Sequence, residues 1–93
     1  MIESDVIIVG AGPVGCVLAN KISNDLKLDC LIIEKRNHIA GNCYDTYNSK
    51  GLLYHKYGPH YLRFKNKNTL KYLSKFTKWI PGNYIVKSVV DNK

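Results

Sequence analysis

Residues 5–34 read DVIIVGAGPVGCVLANKISNDLKLDCLIIE, and the remaining predictions follow from this stretch. A β-branched apolar run at 5–9 leads directly into the glycine motif at 10–15, which a helical pattern follows. A second apolar run at 29–33 then stops at Glu34. Strand, glycine-rich turn, helix, strand and acidic residue in this order predict a βαβ unit that binds a dinucleotide. The competing interpretation is a glycine-rich turn without a ligand.

Each glycine of the motif has its own predicted task. Gly10 permits the tight turn out of the strand, and Gly12 lets the backbone approach a pyrophosphate because it has no Cβ. Gly15 allows the helix to pack closely against the sheet. Pro13 suits the first helical turn, whose free N–H groups and positive dipole end face the phosphates. Glu34 is placed to accept hydrogen bonds from the adenosine ribose.

The periodicity of apolar residues predicts the elements around this motif. The helix is expected over 13–26, with one apolar stripe. Its stripe residues are Val14, Val17, Leu18, Ile22 and Leu26. The unbroken apolar run at 29–33 is typical of a parallel strand that is covered on both faces.

The second half of the chain contains weaker patterns. A short strand is expected at 52–54 and a helix over 69–76, capped by Asn66 or Asn68. The alternation at 84–90 predicts a strand, and residues 91–93 predict a hairpin turn after it.

Length and composition limit the classes of function. A chain of 93 residues forms at most one small domain, and it is too short to hold both a dinucleotide and a substrate domain. The spacing of Cys16, Cys30 and Cys43 matches no metal site, and the first two are expected to be small buried residues. Cysteine usage, the lack of a basic leader and the lack of a long apolar run predict a reduced, cytoplasmic protein with no membrane partner.

The net charge of +7 is distributed unevenly. Residues 46–90 contain no Asp or Glu but many lysines and one arginine, which favours anionic ligands such as a nucleotide sugar or nucleic acid. A solvated lysine-rich face is the simpler interpretation, because lysine at this density usually stays in water. Nucleic acid is therefore not the favoured partner.

Three further stretches resemble one family, the UDP-galactopyranose mutases. They are IEKRNHIAGNCY at 33–44, HKYGPH at 55–60 and YLSKFT at 72–77. The resemblance covers essentially the whole chain, and it implies an α/β fold: a Rossmann-like βαβ FAD/NAD(P)-binding fold that is incomplete, with only its N-terminal portion present. It also implies FAD as cofactor and interconversion of UDP-galactopyranose and UDP-galactofuranose, with reduced FAD as the nucleophile.

The resemblance implies roles for individual residues. Positions implied in cofactor binding are Gly10, Gly12, Val14, Gly15, Glu34, Lys35, Asn42, His60 and Tyr61. The catalytic nucleophile is implied to belong to the flavin, with His60 near the isoalloxazine ring. His38 and His55 also match family positions, and structural roles are expected for them.

Two departures from the family pattern qualify these implications. Ala40 stands where many members have the first glycine of a pair, and it would cost about 1 kcal/mol or more if φ is positive there. The larger departure is length: residues 1–93 are expected to be one FAD-binding segment, whose substrate domain is absent. We therefore expect the chain alone to be inactive, to take a UDP-sugar only with the missing C-terminal part, and to expose apolar surface and dissolve poorly.

Two alternatives stay open at this point. The βαβ unit could be the front end of another FAD- or NAD-dependent oxidoreductase, or the chain could be a small basic module that binds nucleic acid. The blocks at 33–44 and 55–60 speak against the first alternative.

Overall fold

The structure is a computed structural model that describes residues 2–91. The chain divides into two compact units between His60 and Tyr61. The first unit contains a βαβ unit and a small hairpin, and the second contains one short helix. Each unit is described separately below.

The predicted βαβ unit is confirmed. Strand β1 (Val6–Val9) pairs in parallel with β2 (Cys30–Ile33), and Val6 lies opposite Cys30. Helix α1 (Pro13–Lys21) connects them and continues as a π-helical turn over Ile22–Leu26. The expected helical span of 13–26 is therefore correct, although its last turn is wider than α-helical.

Two glycines of the motif show why the turn needs this residue type. Gly10 has a φ of +103°, a conformation that side chains rarely adopt. A Cβ built on Gly15 would lie 2.0 Å from the carbonyl oxygen of Gly10 and 3.3 Å from Cγ2 of Ile8. The predicted role of Gly15 is confirmed, because any larger residue would push α1 away from β1.

A hairpin follows in the first unit. Strand β3 (Asp45–Tyr47) pairs antiparallel with β4 (Leu53–His55), so the expected strand at 52–54 is present but shifted by one residue. The side-chain oxygen of Asn48 shapes the turn by accepting from the backbone N–H groups of Lys50 and Leu52. Strand β3 was not predicted, because only three residues pair and it begins with Asp, a poor strand former.

The predicted second helix is present, with different ends. Helix α2 runs over Lys67–Leu73, and the side chain of Asn66 caps it by accepting from the N–H of Asn68 at 2.8 Å. Residues 74–76 continue as hydrogen-bonded turns, for example from Ser74 N to Leu70 O. The helix thus begins two residues before the predicted start and becomes irregular before the predicted end.

The predicted strand at 84–90 is wrong. This stretch has no regular structure, and Ile85 is 83% exposed. A strand needs a neighbour to take its N–H and C=O groups, and no strand pairs with this stretch among residues 2–91. Of the predicted turn at 91–93, Asn92 and Lys93 lie outside the described residues.

The apolar core is very small. Ala11 is the only buried apolar residue among those described. The expectation that 29–33 is covered on both faces is wrong, because Ile33 is 49% exposed. In α1, Val17 is half-buried, whereas Leu18 and Val14 are exposed. The predicted exposure of apolar surface is thus confirmed by the exposed side chains of Val14, Leu18 and Ile33.

The cysteines are less buried than predicted. Cys16 and Cys30 are half-buried, Cys43 is exposed, and none forms a disulfide. Cys16 lies near the turn, where its Sγ donates to the carbonyl of Ala11 at 3.4 Å. No helix within residues 2–91 is long and apolar enough to span a bilayer.

Candidate functional site

The site is built around the turn between β1 and α1, at the carboxyl ends of both strands. Helix α1 begins after Gly12 with Pro13 in its first turn. No side chain caps this end, and no acidic residue lies in the first turn. Its free N–H groups and the positive end of the helix dipole therefore suit an anion such as a pyrophosphate. Val14 is 74% exposed at this end of the helix.

Glu34 ties the end of β2 to this turn. Its Oε2 accepts from the N–H of Ala11 at 2.7 Å, and its Oε1 accepts from the N–H of Arg36 at 2.8 Å. The hydrogen bonds from Arg36 and then Ala11 hold the pKa of this carboxyl below its ordinary value. The ionised carboxylate keeps further lone pairs, so a ribose hydroxyl can still donate to it.

A second glycine-containing loop lies directly on the turn. The N–H of Ala40 donates to the carbonyl of Ala11 at 2.8 Å. Gly41 has a φ of +56°, and a Cβ built on it would lie 3.2 Å from Cα of Gly12. The backbones of Gly12 and Gly41 therefore approach each other where neither residue carries a side chain.

Ala40 has a positive φ, the condition under which we expected alanine to be unfavourable at this position. Its φ is 72° and its ψ is 0°, which is left-handed. Alanine is strained at this position, by about 1–2 kcal/mol. Two backbone hydrogen bonds hold Ala40 in this conformation. Its N–H donates to the carbonyl of Ala11, and its carbonyl accepts from the N–H of Cys43.

Asn42 is exposed on the 3₁₀ turn Gly41–Cys43. Its Oδ1 accepts from the Arg36 guanidinium at 3.0 Å, and that guanidinium lies 4.5 Å from the centre of the Tyr57 ring. Lys35 is exposed beside Glu34. Sequence reasoning missed Arg36 and Tyr57 as members of this region, because their contacts join positions with no shared periodicity.

His38 has the structural role that was expected for it. Its ring stacks on Tyr44 with 3.9 Å between ring centres. Its Nε2 lies 2.7 Å from the hydroxyl of Tyr57, and its Nδ1 lies 2.8 Å from the carbonyl of Ile39. These contacts hold the loop after Glu34 to the end of the β3–β4 hairpin.

The remaining two predicted cofactor residues lie in different units. His60 belongs to the first unit, where it lies beside Asp45 and His55. Tyr61 belongs to the second unit, where its ring stacks on Tyr84 at 4.3 Å. The structure therefore brings together the glycine turn, Glu34 and the loop of Asn42. Tyr61 belongs to a different unit from these residues.

A cavity in the second unit has different chemistry. Its volume is about 650 Å³, and its lining includes Leu70, Phe76, Trp79 and two lysines. No carboxylate, histidine or cysteine lines it, so it offers no acid–base pair or metal ligand. The glycine turn remains the better candidate.

Comparison with known proteins supports this choice. The model of the family described as "NAD(P)-binding Rossmann-like domain" matches residues 8–76. This match covers the end of β1, the glycine turn, α1, β2 and the loop after Glu34. It indicates a dinucleotide as the class of cofactor.

Individual relatives carry more specific names. The chain is 51% identical to UDP-galactopyranose mutase of Mycoplasma genitalium and 40% identical to that of Mycoplasma pneumoniae, each over 77% of the chain and 18% of the relative. It is 32% identical to a probable UDP-galactopyranose mutase of Klebsiella pneumoniae, over 100% of the chain and 24% of the relative. The resemblance to these mutases is confirmed, and the chain spans only about a fifth of their length.

Proposed function

Since the chain belongs to the family of NAD(P)-binding Rossmann-like domains, we propose that it binds FAD as the N-terminal cofactor-binding portion of a UDP-galactopyranose mutase-like flavoenzyme. The observation that carries the proposal is the approach of the Gly41 loop to Gly12, with Glu34 hydrogen-bonded to the same turn. A second loop that lies against the glycine turn fits a ligand longer than one mononucleotide.

The roles of the protein groups follow from their positions. The N–H groups at the start of α1 would hold the pyrophosphate, which the backbone of Gly10, Gly12, Val14 and Gly15 would surround, with Gly12 leaving room for its close approach. Glu34 would accept from the ribose, while Lys35 and Asn42 would border the cofactor. Bound FAD, once reduced, would supply the nucleophile for ring interconversion of UDP-galactose, and His60 and Tyr61 would lie near its ring.

The compartment is part of the proposal. Three cysteines without a disulfide in the described residues favour a reducing environment. We place the protein in the cytoplasm, where FAD and sugar nucleotides are available. The UDP-sugar would bind only when the remaining four fifths of a mutase-like enzyme accompany this segment.

The first experiment measures flavin retention. The purified chain is incubated with FAD and desalted, and its absorbance spectrum is recorded. We expect a flavin band that is lost in Gly12→Val and Glu34→Ala and kept in Lys50→Gln, a control in an exposed turn. A colourless wild-type protein would contradict FAD binding by the chain.

The same assay separates FAD from the nicotinamide alternative, which the family description itself supports. Excess NAD⁺ or NADP⁺ should leave the retained flavin in place. Displacement by either nucleotide, or retention of NADH instead of FAD, would favour the front end of a nicotinamide-dependent oxidoreductase.

A chimera tests the mutase assignment. The matched part of this chain replaces the corresponding 73-residue stretch of the Mycoplasma genitalium enzyme, to which it is 51% identical. We expect turnover of UDP-galactopyranose with reduced FAD, abolished by Gly12→Val. A folded chimera that holds flavin but gives no turnover would leave FAD binding intact and contradict the mutase proposal.

A further inference from the structure

The second unit contains a cavity that the proposed flavin site does not use. It lies at the end of helix α2, and its volume of about 650 Å³ falls within the range of roughly 300–1,000 Å³ that is common for ligand pockets. Two aromatic rings, two ammonium groups and two hydroxyl groups line it. These groups belong to Ser74, Lys75, Phe76, Thr77, Lys78 and Trp79.

The two aromatic rings are open to solvent. Trp79 is 40% exposed and Phe76 is 59% exposed. The ring of Tyr72 packs edge-on against Phe76, with 5.4 Å between ring centres, and supports it from one side. An exposed indole or phenyl ring offers a flat face on which a nucleobase can stack, whatever the identity of the base. The cavity therefore suits a flat, aromatic ligand.

The charges around the cavity select an anionic ligand. Lys75 and Lys78 line it, and no carboxylate does. Residues 46–90 contain no Asp or Glu, so the second unit has no acidic side chain near these lysines in sequence. The hydroxyl groups of Ser74 and Thr77 can donate to phosphate or sugar oxygens. A base that carries a phosphate matches both the rings and the charges.

Lysines continue beyond the cavity along helix α2. Lys67, Lys71 and Lys75 recur every four residues over the helix and the hydrogen-bonded turn after it, and all three are exposed. Residues four apart are neighbours on a helix surface, so these three form a lysine stripe that ends at the cavity. A free nucleotide would occupy the cavity alone, whereas a row of phosphates would also contact the stripe. The stripe therefore favours a strand over a free nucleotide.

We propose that the cavity binds one base of a single-stranded nucleic acid, which stacks on Trp79. Lys75 and Lys78 hold the phosphates next to that base, and the lysine stripe extends the contact along the strand. The sequence alone favoured a solvated lysine face, because it did not show rings and lysines lining one cavity. The inference goes beyond the proposed function and involves residues of the second unit only.

The fluorescence of Trp79 tests the stacking directly, because this residue is the only tryptophan of the chain. The 93-residue chain without FAD is titrated with oligothymidylate of about ten nucleotides, and with an abasic strand of the same length. We expect saturable quenching by oligothymidylate and an affinity about tenfold lower for the abasic strand. Equal affinities would overturn the proposal, because they would show attraction to the phosphates alone.

Two further ligands test the choice of partner. Thymidine monophosphate should bind Trp79 much more weakly than the strand does, and vesicles that contain phosphatidylserine should not displace the strand. Equal affinity for the monophosphate would overturn the proposal in favour of a free nucleotide, and displacement by vesicles would overturn it in favour of a membrane surface. These measurements use the wild-type chain, so they do not depend on the folding of any variant.

Variants of the ring identify the stacking residue, with binding measured by the anisotropy of a labelled strand. Trp79→Ala should lower the affinity by about tenfold, whereas Trp79→Phe should retain most of it because a ring remains. Ile80→Ala is the matched control, since Ile80 is 83% exposed and does not line the cavity. Wild-type affinity in a folded Trp79→Ala protein would overturn the proposal.

Variants of the lysines test the phosphate contacts. Lys75→Gln and Lys78→Gln should each reduce the slope of log affinity against log salt concentration by about 0.7, the value for one phosphate contact on a single strand. Lys87→Gln is the matched control, because Lys87 is exposed in the same unit and does not line the cavity. The wild-type slope in all three variants would overturn the assigned roles of Lys75 and Lys78.

Discussion

The apolar stretches at 6–9 and 84–90 have similar residues and different outcomes. The first, VIIV, forms β1, whereas the second, YIVKSVV, has no regular structure. The difference is the neighbour: β1 pairs with β2 after a connection of only 20 residues, from 10 to 29. No described strand pairs with the second stretch. An apolar pattern marks a segment that can form a strand, and a partner within reach makes it one.

The comparison also shows what stabilises the ordered region. Even β1 has an open side, since Val9 is 84% exposed. The βαβ unit is therefore maintained less by a core than by its turn, where Ala11, Gly15 and Glu34 make close contacts. Substitutions at the turn should lower the free energy of unfolding strongly, and substitutions at 84–90 should leave it nearly unchanged.

The largest effect is expected for Gly15→Ala. Its Cβ would lie 2.0 Å from the carbonyl oxygen of Gly10, so α1 must move away from β1. We expect a loss of about 3 kcal/mol or complete unfolding in urea, followed by circular dichroism. Gly12→Ala is the control, because its Cβ would be 4.0 Å from Cα of Gly41 and its φ of −74° suits alanine. Equal losses of unfolding free energy in the two variants would contradict a specific clash at Gly15.

A smaller effect of opposite sign is expected for Ala40→Gly. Glycine adopts the left-handed conformation of residue 40 without strain, so stability should rise by about 1 kcal/mol. The paired variant Ala19→Gly, within α1, should lower stability by about 0.5–1 kcal/mol. A destabilised Ala40→Gly protein would show that the loop is not strained as described.

Acid should weaken the turn through Glu34. Its pKa is lowered in the folded chain, chiefly by the hydrogen bond from Arg36 and then by that from Ala11. Its stabilising contribution is therefore present above its unfolded pKa and is lost as the pH falls through the lower folded pKa. Urea midpoints from about pH 6 to about pH 3 should fall further for wild type than for Glu34→Gln. An equal fall of the urea midpoint in wild type and Glu34→Gln would contradict this stabilising role of the Glu34 carboxylate.

The smallest effect is expected in the unpaired stretch. Ile85 is 83% exposed, so Ile85→Lys should change the unfolding free energy by less than about 0.5 kcal/mol. Ile8→Lys, in the half-buried face of β1, is the contrasting variant and should be strongly destabilising. A large loss from Ile85→Lys would mean that 84–90 is packed after all.

The parts of the fold that sequence reasoning predicted are those determined by local chemistry. The glycine turn, the helix after it and the Asn66 cap each depend on neighbouring residues. The failures at 84–90 and at Ile33 depend on partners or cover that no local pattern encodes. The contacts of Asp45 with His55 and His60 were not predicted for a related reason. The hairpin register that brings Asp45 opposite His55 involves a strand of only three residues.

Equilibrium titration of FAD measures whether the glycine turn, Glu34 and the Gly41 loop form the single dinucleotide site that we propose. Gly12→Ala is the decisive variant. The fold has room for the added Cβ, but that Cβ would keep a pyrophosphate from approaching the backbone. We expect this variant to unfold like wild type and to bind FAD with an affinity lower by about tenfold or more. Equal FAD affinity in wild type and Gly12→Ala, with both proteins folded, would contradict it.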